Sequence, residues 1–163
     1  WSPTPMANLI DTDTPINQYL SFKISVLYRL MVRRSARFLN SKYDLSVAEW
    51  WTLGQLVIKS PGTFSGIVEL TQNDKAQVSR AVTMLIQKDL VRKENNPEDK
   101  RSSLLYLTEK GQRLYNEVLP MRQKTQNMIL EQLTEAEREV TERAIVKLTN
   151  YLLDHPELIV AAE

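Results

Sequence analysis

Apolar residues recur along this chain in blocks of helical period, interrupted once by two short strand-like runs. Ile16, Leu20, Ile24, Leu27, Met31 and Phe38 form one stripe at helical spacing. Tyr19, Phe22, Val26 and Leu30 form a second stripe on a neighbouring face. A long helix is therefore expected from Pro15, whose fixed φ suits a first helical turn, to about Asn40. A helix apolar on two faces is usually buried between two layers, here its own domain and a partner chain.

Ser46 and Glu49 make an S-x-x-E capping box that opens the next helix. It carries Trp50, Leu53, Leu56 and Val57 and stops before Pro61–Gly62. Ser65 is placed to cap a short helix running through about Gln72. Asp74 and Gln77 offer a second box, opening a helix from Lys75 to Lys88. The connection Thr71–Asp74 is as short as a helix-turn-helix requires. Leu90–Glu94 and Ser103–Leu107 read as strands around the dense turn signal Asn95–Asn96–Pro97–Glu98–Asp99. Thr108 caps a helix extending to about Gln132, with a kink or break expected at Pro120. Thr134 and Glu137 form a third box for a last helix ending near His155–Pro156. Residues 1–14 lack periodicity and read as a loose arm; Leu158–Val160 is a short apolar tail. The sum is a mainly α protein with a small β-hairpin.

Composition narrows the class. The 163 residues suit one domain with helical extensions, and 42% apolar with 25% charged residues is a soluble, globular balance. No stretch approaches the roughly 18 consecutive apolar residues of a membrane span, and no N-terminal segment reads as a secretory signal. Cysteine is absent, which excludes disulfides and thiolate metal sites and makes a cytoplasmic location the expectation. With one His, no Gly-rich phosphate loop and no clustered metal ligands, no catalytic constellation or cofactor site is visible. The lone His155, beside a proline, is expected at the surface. Net charge is +1, distributed as +2 over residues 1–58, +3 over 59–113 and −4 over 114–163. The middle third is the part suited to a polyanion.

Placement inside that third carries the argument. With Lys75 at zero and about 100° per residue, Val78, Val82, Leu85 and Ile86 fall between about 280° and 20°, a core-facing stripe. Ala76, Ser79, Arg80, Thr83 and Gln87 cluster opposite, with Gln77 just beyond. No Asp or Glu lies between Lys75 and Lys88. Carboxylates repel phosphates, so a helix meant for the major groove excludes them. Arg pairs with guanine O6 and N7, Gln with adenine N6 and N7, and Thr or Ala packs on a thymine methyl. The competing reading is a solvated face that happens to lack acids. Lys100 and Arg101 sit where the hairpin reverses, and an arginine there suits a minor groove. Asp99 is placed to orient Arg101 or Arg80 by a charge-assisted hydrogen bond. Alone, that turn reads as a solvated hairpin; following the acid-free helix, it reads as a second nucleic-acid probe.

The order of elements resembles the MarR family of winged helix-turn-helix regulators. The sharpest parts are Leu45-Ser46 leading to Trp50 and Leu53, then DKAQVSRAV, then LVRKENNPEDKRSSLLYLTEKG. The resemblance implies a single MarR-like domain over residues 15–163. Within it, 45–111 would be the winged helix-turn-helix DNA-binding lobe, and 15–44 and 112–163 the helices of a homodimerisation layer. It implies recognition of double-stranded DNA through Lys75, Gln77, Ser79, Arg80 and Thr83, with Arg101 as the wing arginine, Asp99 its acid and Lys100 beside them. A repressor on a pseudo-palindromic operator is the implied role; a winged-helix protein-interaction module is the alternative. Asp89 departs from the family, which often has Gly before Leu-Val. The family also implies a small, commonly anionic aromatic effector. Here Phe22 and Trp51 are candidate walls and Arg33 and Arg37, at i and i+4, candidate anion holders. The plainer reading makes those aromatics core and those arginines a solvated cluster.

Overall fold

The computed structural model describes residues 15–99 and 102–159, which fall into two compact units meeting in sequence at Tyr115–Asn116. The first unit begins with α1 (Pro15–Gln18) and α2 (Leu20–Tyr43). The expected single helix is thus broken at Tyr19, whose extended backbone (φ −66°, ψ 129°) restarts the helical register at Leu20. It also runs three residues past Asn40, to a left-handed Asp44 (φ 51°) whose N–H donates to the Asn40 carbonyl.

α3 (Val47–Ile58) starts as its sequence dictates. The Ser46 hydroxyl accepts the Glu49 N–H at 3.1 Å and the Glu49 carboxylate accepts the Ser46 N–H at 3.0 Å. Its inner face supplies Trp50, Leu53 and Leu56 to the core, and Trp50 stacks on Tyr115 with centroids 4.8 Å apart. β1 (Gly62–Thr63), too short to leave a periodic signature, pairs with the second hairpin strand, β3 (Ser103–Leu107), which lies between it and β2 (Val91–Asn95) in a three-stranded sheet. α4 (Phe64–Thr71) is capped by Thr63, not by Ser65: the Thr63 hydroxyl accepts the Gly66 N–H at 3.1 Å. Thr63, at the end of the edge strand, already has the extended backbone an N-cap needs.

α5 (Lys75–Gln87) buries Val78, Ala81, Val82 and Leu85. Asp74 caps it by accepting the Ala76 N–H at 2.9 Å. Its last turn closes on Asp89 in the left-handed region (φ 57°), with Asp89 N–H to the Ile86 carbonyl and Leu90 N–H to the Leu85 carbonyl. That is the paired closure glycine usually provides. Asp89→Gly is therefore expected to raise stability by about 0.5–1 kcal/mol, read as a higher denaturant midpoint; an unchanged or lower midpoint would show that the aspartate carries no strain.

β2 (Val91–Asn95) and β3 (Ser103–Leu107) pair antiparallel, Val91 opposite Leu107 and Asn95 opposite Ser103. Asn96 braces the connection: its side-chain amide donates to the Ser102 hydroxyl at 2.8 Å and its carbonyl oxygen accepts the Glu98 N–H at 3.0 Å. α6 (Glu109–Leu130) is continuous across Pro120, so the expected break is absent.

In the second unit, the end of α6 meets α7 (Glu135–Asp154) through Arg138, whose Nε donates to the Leu130 and Leu133 carbonyls. The Thr134–Glu137 box is present as expected. The Thr134 backbone N–H, then its hydroxyl, hold the Glu137 carboxyl below the ordinary glutamate range. A lowered folded value means the box contributes above the unfolded value and is lost as pH falls through the folded one. Protection from exchange of the Thr134 amide, which donates to the Glu137 carboxylate, is thus expected at neutral pH and lost as pH falls below the ordinary glutamate range; unchanged protection there would show that the ionised carboxylate is not needed. His155, half-buried, stacks on Tyr151 and bonds the Tyr151 carbonyl through Nδ1. A 3₁₀ turn, Pro156–Ile159, follows and takes in the first part of the apolar tail.

Candidate nucleic-acid interface

α5 presents Lys75, Ala76, Gln77, Ser79, Arg80, Thr83 and Gln87 to solvent, the face that helical spacing sets opposite the core. Asp74, just outside the helix, spends its carboxylate on the cap, so the exposed face carries only neutral and cationic groups. Among the described residues, no hydrogen bond or ion pair engages the Arg80 guanidinium. The Thr83 hydroxyl donates to the Ser79 carbonyl at 2.9 Å.

The hairpin lies beside this helix. A cleft of about 400 Å³ separates them, lined among others by Thr63, Ser65, Ser79, Thr83, Lys93 and Ser102. Hydroxyls and one ammonium around a groove make donors for phosphate oxygens. Lys93 and the α4 serine were not legible as site residues; the one available signal was the Thr63-Phe64-Ser65 cluster before an apolar run. Arg92 is otherwise engaged, 4.1 Å over the Tyr106 ring and paired with Glu94. Asp99 stands at the hairpin tip, its carbonyl accepting the Ser102 N–H at 3.0 Å. Lys100 and Arg101, the predicted tip contacts, lie outside the described residues.

Among the described residues, one cleft takes in Trp51 and none of the other three predicted effector residues. Trp51 is 46% exposed and lines a cleft of about 320 Å³ with Tyr28, Gln55, Leu70, Thr71 and Asn73. Phe22, half-buried, is not among that lining, and Arg33 and Arg37 are exposed on α2. That cleft has apolar walls and neutral hydrogen-bonding groups but no cation. α2 itself carries six Lys or Arg and no acid.

A short-turn helix pair, a second helix with an exposed acid-free face and an adjoining antiparallel hairpin define a winged helix-turn-helix protein. The comparisons agree. The family model described as MarR family matches residues 43–102. A MarR/EmrR family transcriptional regulator from Acinetobacter sp. ADP1 superimposes with a TM-score of 0.79 at 27% identity, over 86% of this chain and 99% of that one. An uncharacterised HTH-type transcriptional regulator of Staphylococcus aureus is 32% identical over 89 residues, which span 55% of this chain but only 61% of the relative's length. Bordetella bronchiseptica BpsR, whose DNA binding is regulated by 6-hydroxynicotinic acid, shares the fold at 22% identity, over 85% of this chain and 98% of its own, with a TM-score of 0.74. Residues 43–102 thus match the MarR family, and the fold is that of MarR-family transcriptional regulators. Among the described residues no helix is long and apolar enough to cross a membrane.

Proposed function

We propose that this protein is a sequence-specific, double-stranded-DNA-binding repressor that works as a homodimer on a pseudo-palindromic operator. The observation that carries the proposal is the exposed face of α5: cationic and amide groups, an Arg80 with no hydrogen-bond or ion-pair partner among the described residues, and no acid from Lys75 to Lys88. In this reading Gln77, Arg80 and Thr83 read base edges, while Lys75 and Ser79 hold backbone phosphates. The hydroxyl-lined cleft beside Lys93 extends the phosphate grip. Arg101 and Lys100 at the wing tip enter the minor groove, with Asp99 as the brace of Arg101. A protein-interaction module would tolerate acids on the same helix, and none is present.

Support for the dimer comes from exposed apolar residues: Leu20, Ile24 and Leu27 on α2, and a longer run on α7. No residue of this 20-residue helix is buried, and Val140, Ile145, Val146, Leu148, Tyr151, Leu152 and Leu153 are all exposed. A second copy is the covering such a surface calls for. In this arrangement residues 15–44 and 112–163 form the dimer layer and 45–111 the DNA lobe. Ligand control is the remaining element: BpsR is regulated by a small aromatic acid, and the cleft beside Trp51 is the apolar recess available here. Arg33 and Arg37 would have to meet an anion elsewhere.

Selection of bound sequences from random duplex DNA tests the reading. The expected result is an inverted repeat with half-site centres about 34 Å apart. Recovery of no enriched sequence would defeat the operator, and recovery of a single half-site would defeat the dimer.

A further inference from the structure

α2 and α5 do not pack along their whole length. Val32, Ala36 and Asn40 face Gln77, Arg80 and Met84 across an open cleft of about 580 Å³. The connection is made at one end. Lys88, at the C-terminus of α5, reaches the junction of α2 and α3, where its ammonium donates to the Asp44 carbonyl and lies 3.0 Å from Glu49 Oε2. Asp44 Oδ2 is a looser third partner at 3.4 Å. The Lys88 side chain is only 19% exposed and that of Glu49 6%. The same Glu49 oxygen accepts the Ser46 N–H, so one atom serves both the capping box of α3 and the grip on α5. From the other side, Lys110 donates to the Lys88 carbonyl at 2.7 Å and Thr108 to the Asp89 carbonyl at 2.8 Å. At the end of α5 that carries Lys75 and Gln77, the Asp74 carboxylate caps the helix.

We infer that Lys88, through Glu49, is a positioning residue that fixes the angle of the recognition helix against the α2–α3 junction. This rests on α5 being the DNA reader. Neither residue sits on the outward face of α5, so neither is a contact. A buried ammonium–carboxylate pair has directional, charge-assisted hydrogen bonds, so it holds one geometry where apolar packing would allow several. Base reading needs that geometry; phosphate contact does not.

Glu49→Gln separates this idea from simple electrostatics, because it keeps the side chain's shape and removes an acid. Loss of an acid alone would leave DNA binding equal or tighter on every sequence. Positioning instead predicts at least a tenfold weaker affinity for the duplex selected by the wild-type protein, with affinity for a scrambled duplex unchanged or tighter. Lys88→Met should lose the same specificity ratio, and Lys88→Arg should recover most of it. Hydrogen exchange gives a readout without DNA: amides from Met84 to Leu90 should exchange about tenfold faster in Glu49→Gln, with α4 unchanged. Equal affinity ratios and equal exchange in wild type and Glu49→Gln would overturn the inference. If the wild-type protein selects no DNA, the reader assignment fails instead, and exchange alone decides whether the clamp fixes the helix.

Discussion

Gly111→Ala loses about 2 kcal/mol of stability, although alanine is the better helix former by about 1 kcal/mol. Gly111 lies in the first turn of α6, its N–H donating to the Thr108 hydroxyl at 3.0 Å. A methyl group there would meet the Leu90 carbonyl well inside van der Waals contact and the Leu107 Cδ1 at 2.9 Å. The obstacle is backbone that cannot step aside. The Leu90 carbonyl also accepts the Thr108 N–H and hydroxyl, both at 3.1 Å, while the Leu90 N–H closes α5. Relief of the clash would loosen the end of α5, the start of β2 and the start of α6 together. Gly54→Ala is the control, since its methyl would sit 3.5 Å from the Tyr115 ring, an ordinary contact. That variant should be neutral or slightly stabilised. Urea denaturation of the two proteins decides it: a Gly111→Ala midpoint equal to wild type would show that the junction yields.

Arg80→Ala is expected to weaken binding to the selected operator by about 1–3 kcal/mol, roughly 5- to 150-fold, and to relax preference at one base position. The basis is an exposed guanidinium with no described partner, in the middle of the acid-free face. Lys100→Ala should behave differently, weakening all sequences alike and flattening the salt dependence by about one unit of slope. Titration of specific and random duplexes at several salt concentrations distinguishes the two. Identical losses from both substitutions on both duplexes would dissolve the division between reader and clamp.

The helices were legible because their caps and stripes are local. The Ser46–Glu49 and Thr134–Glu137 boxes and the Val78–Val82–Leu85 stripe depend on neighbours three or four positions away. What escaped depends on tertiary pairing. β1 exists only because Gly62 and Thr63 find Leu105 and Leu104. Thr63 then takes the cap that spacing assigned to Ser65. The cleft joining Ser65, Ser79 and Lys93 draws on three separate elements, so no run of sequence contains it. Glu49 was read as a capping residue and nothing more; its second partner lies 39 positions away, at Lys88. Trp51, singled out beside Trp50, lines a cleft with Tyr28 and the helix-turn-helix connection, and Phe22 and the α2 arginines are not in that lining.

The bare surface of α7 bears on the economy of the cell as well as on assembly. A lone helix of 20 residues is only marginally stable in water, so what covers α7 largely decides whether it persists. If the cover is another copy, chain concentration enters the folding equilibrium, and the melting temperature rises with the amount of protein present. Newly made chains at low copy number would then expose α7 to proteases until they meet a partner. Abundance would set a threshold below which regulation switches off with no signal at all.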